Sequence, residues 1–508
     1  MDKELMDKEV LCILDTRQIQ RFMFRSNSYM DSIGGSDLIK HILDDAIIYA
    51  LTHIDEPLNE DEFDLSCDPN APIPYLTSDR IKFQLIISTA GNALCIVRSG
   101  RLAAKIIRKV SRYYLDFGYS LNITAAVTAK TDDFGMDIFH LYQNLNRIKS
   151  SSDISDPLGA LPIVAKEKHT GNPAIGIDEK SGEYYSRASL IRRKEAAKRD
   201  VIIDIKDMKA TRGNDGQEYM AVLHADGNNL GITIGRILQR TSDYEEGIRS
   251  RRNINKSIVS IYSYIMDNTL KELKEIYFSD TDDVFEKSFN VIHQGGDDVN
   301  IICKAELAIP FIKIFFKYLR GQYLVNSKES KIPLYVCAGI AYVTKESSFK
   351  EAFEMAEDCC DNAKKFAKKD DNLRDGLAGN WIDYQICPTR MTQSLDMLRS
   401  KNGMTTEGID LYLRPYCYDD VAINETYHFD KLIDRCSVIR SLSLAEKDRE
   451  MLSQSYSMGS DNYDKWIYGM SKKGIKLDEL LGERIYRDSD RKRHAVWFDA
   501  SEIIDFVV

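Results

Sequence analysis

Short apolar runs recur along most of the chain, and their order repeats. Residues 10–15 and 219–226 are apolar runs that end in an acidic residue, which is typical of buried strands. Each run is followed by a helical stretch and two short strands around a small-residue turn, then by an amphipathic helix, another strand and a closing helix. The hairpin strands lie at 83–87 and 94–97 in the first case and at 290–292 and 299–303 in the second, the later strands at 121–127 and 334–341, and the closing helices at 136–148 and 349–367.

The repeated order predicts two copies of one folding unit. Each copy runs strand, helix, hairpin, helix, strand, which fits a ferredoxin-like layer with helices on one face of an antiparallel sheet. The spacing from the first acidic residue, Asp15 or Asp226, to the hairpin turn is similar in the two copies. A chance likeness between ordinary elements is the alternative, and periodicity alone does not decide between the two. The fold class is α+β in either case.

The pattern changes between the copies and after the second one. Residues 151–215 are rich in glycine and proline and contain a basic helical stretch at 187–199, so we expect a connector with little core of its own. After residue 388 the strand pattern stops and helical periodicity takes over. The predicted helices there lie at 429–442, 444–455 and 461–468, and the predicted domains span 1–150, 151–215, 216–390 and 391–508, the last one helical.

Composition and charge exclude several classes of protein. The chain has 508 residues, of which 43% are hydrophobic, so it is long enough for two to four domains with real cores. Its 79 acidic residues outnumber its 69 basic residues, which gives a formal charge of -10. Proteins that grip extended nucleic acid through its phosphates carry basic surfaces instead. We therefore expect no extended nucleic-acid binding.

The ten cysteines and the apolar stretches indicate a cytoplasmic protein. No two cysteines have the Cys-x-x-Cys spacing, so the sequence supports neither a structural zinc site nor a disulfide framework. The longest apolar stretch, at 309–319, is interrupted by lysines and is too short to span a bilayer. The charged N-terminus lacks the apolar segment of a secretory signal. The sequence thus predicts a cytoplasmic location without membrane contact.

Acidic side chains gather at the predicted hairpin turn of the second copy. Two glycines are followed there by Asp297 and Asp298, and the neighbouring strand ends at Asp226. Glycines let the chain turn tightly and let a triphosphate approach the backbone. Three carboxylates would then converge, which suits magnesium because that ion takes hard oxygen ligands. Two such ions, magnesium or manganese, can activate a hydroxyl and stabilise a leaving pyrophosphate.

A surface hairpin with ordinary turn residues is the alternative to a metal site. Taken alone, a Gly-Gly-Asp-Asp turn would favour that alternative. A third acid, Asp226, at the end of a buried strand is hard to explain by turn geometry, because a charge there needs a partner. The metal site is therefore the favoured interpretation.

The residues around these acids resemble a known family. Residues 224–231 (His-Ala-Asp-Gly-Asn-Asn-Leu-Gly) and 294–298 (Gln-Gly-Gly-Asp-Asp) are similar to the cyclase palm of the large subunit of type III CRISPR effector complexes. They are more distantly similar to GGDEF diguanylate cyclases and class III adenylate cyclases. Residues 15–22 and 34–38 resemble that family's first palm. The resemblance implies two palm domains, the first degenerate and the second catalytic, before the helical C-terminal domain.

The resemblance also implies an activity, which is the joining of NTPs or dNTPs into a small cyclic or linear oligonucleotide messenger during antiviral defence. Asp226, Asp297 and Asp298 would bind two metal ions and carry catalysis. The nucleotide would contact a wider set of residues, namely Gly227, Asn228, Asn229, Gly295, Gly296, Lys364 and Lys368. A solvated basic helix end is the other interpretation of the two lysines. The expected partners are an effector or regulator protein of the same defence system and a second copy of the chain.

The first copy departs from the family pattern. Residues 90–93 (Ala-Gly-Asn-Ala) stand where the second copy has 295–298, so Asp15 is the one member of the metal set that is kept. We expect this copy to hold the acceptor nucleotide, with hydrogen bonds from Gln18, Gln20 and Ser36. The alternative is that these three side chains cap the helices that follow.

Other features of the family pattern are missing. No His-Asp dipeptide and no zinc-binding insert occur, so the chain resembles a stand-alone relative of the CRISPR subunit without its nuclease domain. His224 and His293 lie on the catalytic strands, where a packed or hydrogen-bonded position is favoured over a role as a base. A catalytically quiet nucleotide-binding sensor or assembly subunit is the competing class of function.

Overall fold

The computed structural model divides the chain into two compact units. One unit comprises residues 1–202, 229–264 and 322–333, and the other comprises 203–228, 265–321 and 334–508. The residues that the structure describes are 3–26, 28–89, 91–151, 159–177, 182–199, 203–213, 215–278, 285–325, 331–369, 378–387, 393–405, 407–419, 424–442, 444–475, 485–487 and 492–507.

Strands and helices follow the predicted order closely. The strands are β1 (Val10–Arg17), β2 (Phe63–Asp64), β3 (Phe83–Thr89), β4 (Asn92–Val97), β5 (Asn122–Ala129), β6 (Ala174–Ile177), β7 (Tyr184–Ser186), β8 (Thr211–Arg212), β9 (Glu218–Gly227), β10 (Phe289–Gly295), β11 (Asp298–Lys304), β12 (Tyr323–Val325), β13 (Lys331–Pro333), β14 (Val336–Thr344), β15 (Trp381–Ile386), β16 (Ile409–Asp410), β17 (Tyr416–Cys417), β18 (Ile485–Arg487) and β19 (Arg493–Ala495). The helices are α1 (Ile19–Phe24), α2 (Tyr29–His53), α3 (Gly100–Tyr113), α4 (Phe134–Ser151), α5 (Arg187–Ala196), α6 (Leu230–Leu238), α7 (Tyr244–Tyr277), α8 (Ala308–Leu319), α9 (Phe349–Ala367), α10 (Leu395–Asn402), α11 (Phe429–Ser441), α12 (Glu446–Ser457), α13 (Ser460–Lys472) and α14 (Phe498–Ile503).

Each unit contains the sheet that the sequence predicts. The first sheet has the order β2-β3-β4-β1-β5, and the second has β10-β11-β9-β14-β15-β17 along its main path. In both, the first strand of the repeat lies between the hairpin and the last strand, and these neighbours are antiparallel. The central strands β1 and β9 are mainly hydrophobic and are buried at residues 10–16 and 219–225. The α+β class with two ferredoxin-like layers is confirmed.

The two sheets share local details as well as strand order. Both hairpins carry a β-bulge at the same place, at Ile86 in β3 and at Ile292 in β10. Both central strands lead into a helix through a non-glycine residue in the left-handed conformation, Gln18 with φ 52° and Asn229 with φ 62°. A bulge and a left-handed residue are uncommon features, so their coincidence supports duplication of one unit.

The connector has more core than the sequence indicated. Helix α5 packs against α2, and a Cβ at Gly34 would overlap the carbonyl group of Arg192. The Arg192 side chain is fully buried, with its guanidinium group 4.4 Å from the ring centre of Phe22. The expectation of a connector with little core is therefore wrong for α5, because a glycine in α2 lets the two helices meet closely.

The C-terminal region contains helices α11 to α13 as predicted, together with strands that the sequence did not reveal. β17 pairs with β15, which precedes this region, and β16, β19 and β18 form a small separate sheet. These late strands, apart from β15, are only two or three residues long, which is too short for a periodic signal. Among the described residues, no helix has the length and hydrophobicity that crossing a membrane requires.

Candidate active site

The second sheet brings the three predicted carboxylates together at one end of its strands. Ala225 of β9 pairs with Val299 of β11, so the next residues outward, Asp226 and Asp298, lie beside each other at the strand ends. Asp297 is in the turn that joins β10 to β11. Three acidic side chains thus meet where two neighbouring strands and one hairpin turn end.

Glycines make this meeting sterically feasible. A Cβ at Gly227 would overlap the Asp297 carboxylate, so only glycine lets that side chain lie against the end of β9. Gly296 has a φ of 67°, which side chains disfavour, and it turns the hairpin directly before Asp297. Gly295 packs against the imidazole ring of His293, where a Cβ would also overlap. Gly296 is therefore favoured by its backbone conformation, and Gly227 and Gly295 leave the space that the side chains of Asp297 and His293 occupy.

The surroundings of Asp297 disfavour the ionised form of its carboxyl group. Its burial, followed by the negative charge of Asp226 and then of Asp298, raises its pKa to about 7. A carboxylate that is costly to ionise in the free protein gains stability from any cation that reaches it. The three neighbouring carboxylates at these strand ends therefore favour the binding of a positive group.

Lys364 on α9 provides one positive group. Its ammonium group forms an ion pair with the Asp226 carboxylate, and the two side chains are 17% and 33% exposed. Burial alone would lower the pKa of Lys364, but nearby anionic groups, Asp226 among them, raise it above its ordinary value. The lysine is therefore charged, half-buried and paired with Asp226, while its contact with a triphosphate stays a prediction.

A buried hydrogen-bond chain supports Asp298. His224 donates from Nδ1 to the Oδ1 atom of Asn300 at 2.8 Å, and Asn300 donates from Nδ2 to Oδ1 of Asp298 at 2.9 Å. Burial lowers the pKa of His224 against the opposing effect of Asp226, so the ring is neutral and Nδ1 carries the proton in this arrangement. The ring also packs edge-on against Phe353. The interpretation of His224 as a hydrogen-bonded core residue is borne out by these contacts, and Asn300 was missed because nothing local in the sequence distinguishes it.

The asparagines after β9 differ from each other. Asn228 is only 8% exposed, its backbone N–H donates to Tyr335, and both polar atoms of its side-chain amide lack a hydrogen-bond partner among the described residues. An unpaired buried amide is costly, so it indicates a site where a bound molecule would satisfy it. Asn229 adopts the left-handed conformation at the start of α6. Both remain predicted nucleotide-binding residues.

Lys368 and the first-unit residues are placed less favourably. Lys368 is exposed at the C-cap of α9, and no described contact ties it to the carboxylates. Gln18 accepts a hydrogen bond from Arg21 at 3.1 Å, so its side chain is engaged within α1. Gln20 lies inside the same helix, and Ser36 is completely buried inside α2. The alternative that Ser36 caps a helix is wrong, because Ser28 caps α2, while the acceptor roles of these three residues stay predictions.

The strand register corrects the alignment of the two hairpins. Across the first hairpin Thr89 pairs with Asn92, and across the second Gly295 pairs with Asp298. Asn92 is therefore the counterpart of Asp298, and the glycine before Asn92 is the counterpart of Asp297. The alignment drawn from sequence was wrong by one residue, because it matched glycines that occupy different turn positions. The conclusion that the first hairpin lacks both carboxylates is unchanged.

The first unit keeps an ion pair that the sequence did not reveal. Lys149 on α4 contacts Asp15 at 2.6 Å between Nζ and Oδ2. Lys149 is as far from the start of α4 as Lys364 is from the start of α9, and Asp15 is the counterpart of Asp226. The equal spacing from each helix start is the signal that would have identified this lysine.

The residues at the second site fit magnesium or manganese chemically. Three carboxylates provide hard oxygen ligands, and the orphaned Asn228 amide lies two residues beyond Asp226. Among the described residues, however, no three acidic, histidine or cysteine side chains are already arranged as a metal site. Asp226 pairs with Lys364 in this arrangement, so cation binding would have to change that contact.

Comparisons with known proteins identify a family model and solved structures that are similar to this chain. Residues 219–373 match the family model for the second palm domain of Cas10/Cmr2. A crystal structure of an apo Csm1–Csm4 cassette is 12% identical with a TM-score of 0.50, and the match covers all of this chain and 71% of that chain. Csm1 from T. onnurineus is 14% identical with a TM-score of 0.49, over 98% of this chain and 69% of that one.

No curated protein matches the chain. The matched residues include the end of β9, the turn between β10 and β11, β11 and all of α9, and they contain all three aspartates and Lys364. The fold of the Csm1 structure extends over both palms. Over residues 219–373 the chain is similar to the second palm domain of Cas10/Cmr2, and its fold is similar to that of the apo Csm1–Csm4 cassette structure.

Proposed function

We propose that this chain joins nucleoside triphosphates into a small oligonucleotide messenger, cyclic or linear, that serves antiviral defence. The observation that supports the proposal is the meeting of Asp226, Asp297 and Asp298 at adjacent strand ends, with Lys364 paired to the first of them. Acids that gather around a half-buried lysine suit a substrate that brings both phosphate and divalent cations. The match to the Cas10/Cmr2 second palm supports a nucleotide-cyclase-like reaction of this kind.

The residues of the second palm would bind and orient the donor triphosphate. Lys364 would contact the phosphates, and the unpaired amide of Asn228 would hydrogen-bond the nucleotide. Gly227 lets the Asp297 carboxylate lie against the end of β9, and Gly296 turns the hairpin directly before Asp297. Two magnesium or manganese ions held by the aspartates would supply the positive charge that activates the 3′-hydroxyl and stabilises pyrophosphate.

In the reaction, the acceptor oxygen forms a bond to the α-phosphorus while the bond to pyrophosphate breaks. The hydroxyl proton passes to solvent, so the aspartates need not act as general bases. Positioning of the two reactants by protein groups contributes the remaining rate enhancement. The first palm stays a candidate for acceptor binding, and its retained pair of Asp15 and Lys149 supports a role beyond bulk.

A catalytically quiet nucleotide sensor or assembly subunit is the second candidate. The contact between Lys364 and Asp226 favours it, since that pair satisfies the carboxylate without a metal ion. The fold likeness to Csm1 from a Csm1–Csm4 cassette supports a protein partner in a defence complex for either candidate. A cytoplasmic location and pairing with a second copy also stay proposals.

Incubation with labelled triphosphates separates the two candidates. The purified chain is mixed with each NTP and dNTP in magnesium or manganese, with and without its partner proteins, and products are read by mass spectrometry after phosphatase treatment. A phosphatase-resistant oligonucleotide that disappears in the Asp297→Ala/Asp298→Ala variant supports the enzyme. Unchanged triphosphates under every condition, together with measurable nucleotide binding, would support the sensor.

A further inference from the structure

A groove in the first unit follows the open edge of its sheet. β5 is the last strand of that sheet, and no described strand pairs with its outer side. A cavity of about 710 Å³ runs along this edge and is lined by α3, β5, α4 and Leu5 of the N-terminal segment. The lining is mainly apolar, with Ile107, Val127 and Ile148 facing the cavity. All of these lining residues belong to the first unit.

The hydrogen-bonding pattern shows which backbone groups face this groove. The Lys130 N–H donates to Glu9 on the inner side of β5, and antiparallel partners alternate between inward and outward groups. Ile123, Ala125 and Val127 therefore direct their N–H and C=O groups away from β1. One of these groups is engaged, since Asn144 donates from its side chain to the Val127 carbonyl at 3.2 Å.

In the second unit the corresponding edge, the outer side of β14, is paired with another strand. Ala338, Ile340 and Tyr342 of β14 are the counterparts of residues on the outer side of β5, and they pair with β15 in parallel register. The Tyr342 carbonyl accepts from the Cys387 N–H at 2.9 Å. The chain thus provides a strand for the second sheet at the position that no described strand fills in the first.

Two arginines make this groove positively charged. Helix α3 contains five basic residues and no acidic one, and Arg101, Lys105 and Arg112 pair with carboxylates of their own unit. Arg108 of α3 and Arg147 of α4 line the groove, and neither has an ion-pair partner among the described residues. A chain with a formal charge of -10 therefore presents uncompensated positive charge at an unpaired sheet edge.

We propose that this groove binds an extended, acidic segment of a partner protein, which joins β5 as an additional strand. Main-chain hydrogen bonds to the outward groups would provide affinity, and carboxylates opposite Arg108 and Arg147 would provide specificity. The apolar lining and the presence of only two arginines favour a peptide over nucleic acid, which needs a longer row of cations. The proposal does not depend on the catalytic activity of the second palm.

Selection from a library of random peptides on the full chain tests this assignment. We expect acidic sequences rich in β-branched residues, and we expect their affinity to fall at least about tenfold in the Arg108→Glu/Arg147→Glu variant. The matched control is Arg101→Glu/Arg112→Glu, which reverses two charges of the same unit outside the groove and should leave affinity unchanged. Equal losses in both variants would show general charge attraction and would overturn the proposal.

Two further measurements test strand addition itself. Ala125→Pro removes an outward N–H without removing a bond to β1, so it should abolish peptide binding, whereas Ala125→Ser should not. On peptide binding, amide hydrogen exchange should slow at Ala125 and Val127 and stay constant at Thr124 and Ala126, which already face β1. Failure to select acidic peptides, uniform exchange, or tight binding of labelled RNA that the charge reversal abolishes would show that the occupant is not a peptide strand.

Discussion

The two palms share a backbone and differ in the side chains that would hold a cation. Both have an aspartate at the end of the central strand and a lysine on the closing helix, as Asp15 with Lys149 and Asp226 with Lys364. The second palm adds Asp297 and Asp298, where the first has a glycine and an asparagine. The aspartate–lysine pair is thus compatible with a palm that lacks the other two carboxylates. A cation site requires more than this pair.

A second difference concerns the residues that support the carboxylates, two positions away on the same strands. His224 and Asn300 are cross-strand partners that support Asp298, and their counterparts in the first palm, Ile13 and Leu94, are also cross-strand partners. An apolar pair replaces a polar pair at the same position in the sheet. This substitution agrees with the missing carboxylate, because a buried polar pair without a charged group to orient would cost stability.

The largest expected effect comes from removing the two turn carboxylates. Asp297→Ala/Asp298→Ala should reduce oligonucleotide synthesis by at least about a thousandfold, because the ligands that distinguish the second palm are lost. The rate of product formation is measured under saturating triphosphate and magnesium. Asn92→Ala in the first palm is the matched control and should leave the rate near that of the wild type. Product formed at an undiminished rate by the double variant would refute the metal-site assignment.

The two lysines should differ in a smaller but clear way. Lys364→Ala should lower kcat/KM for the triphosphate by about tenfold to a hundredfold, since a half-buried cation near the phosphates is removed. Lys149→Ala should leave the KM for the donor unchanged, because its partner Asp15 belongs to the first palm. Steady-state kinetics at varied triphosphate concentration decide the matter. Equal effects of the two substitutions would mean that both palms bind the donor.

A smaller effect is expected when the apolar pair of the first palm is introduced into the second. His224→Ile/Asn300→Leu should raise the magnesium concentration for half-maximal rate by about tenfold, because Asp298 loses the group that orients it. Asn300→Asp tests this explanation, because the new carboxylate keeps a polar group beside Asp298 but repels the Asp298 carboxylate. Ile13→Leu in the first palm should not alter the magnesium dependence. An unchanged magnesium dependence in the double variant, with the fold intact, would restrict His224 and Asn300 to packing.

The smallest expected effect concerns stability without metal. Burial and neighbouring carboxylates raise the pKa of Asp297 to about 7, so its ionisation opposes folding as pH rises from its ordinary pKa of 3.8 toward 7. Asp297→Asn should therefore melt at a higher temperature than the wild type at pH 8 and at about the same temperature near pH 4. Thermal unfolding in a chelator measures both, and Asn92→Ala is the control. A lower melting temperature of Asp297→Asn at pH 8 would contradict the electrostatic explanation.

Much of the fold could be predicted because its signals are local. Helix α9 has the predicted bounds, and the strands that carry the acids were found within a few residues of their observed ends. The three aspartates could be grouped because strand order fixes which strand ends are neighbours. Lys364 could be chosen from the family resemblance and its place on the closing helix.

The rest depended on contacts that no local pattern encodes. Asn300 is an ordinary strand residue until its register with His224 is known. Lys149 can be recognised as the partner of Asp15 only from the contact between α4 and β1. The hairpin alignment failed by one residue because Gly91 and Gly296 occupy different turn positions, although both have positive φ. Strands such as β17, with two residues, become recognisable only through their partners.

The left-handed residue after each central strand has a consequence for the history of the molecule. Gln18 and Asn229 adopt nearly the same backbone conformation, although one follows a palm with a single acid and the other a palm with three. A glycine would adopt this conformation more easily at either position. The backbone conformation after the central strand is therefore the same in the two copies, although the side chains around it differ. The family model matches the copy with three acids, and this backbone conformation is a feature that both copies share.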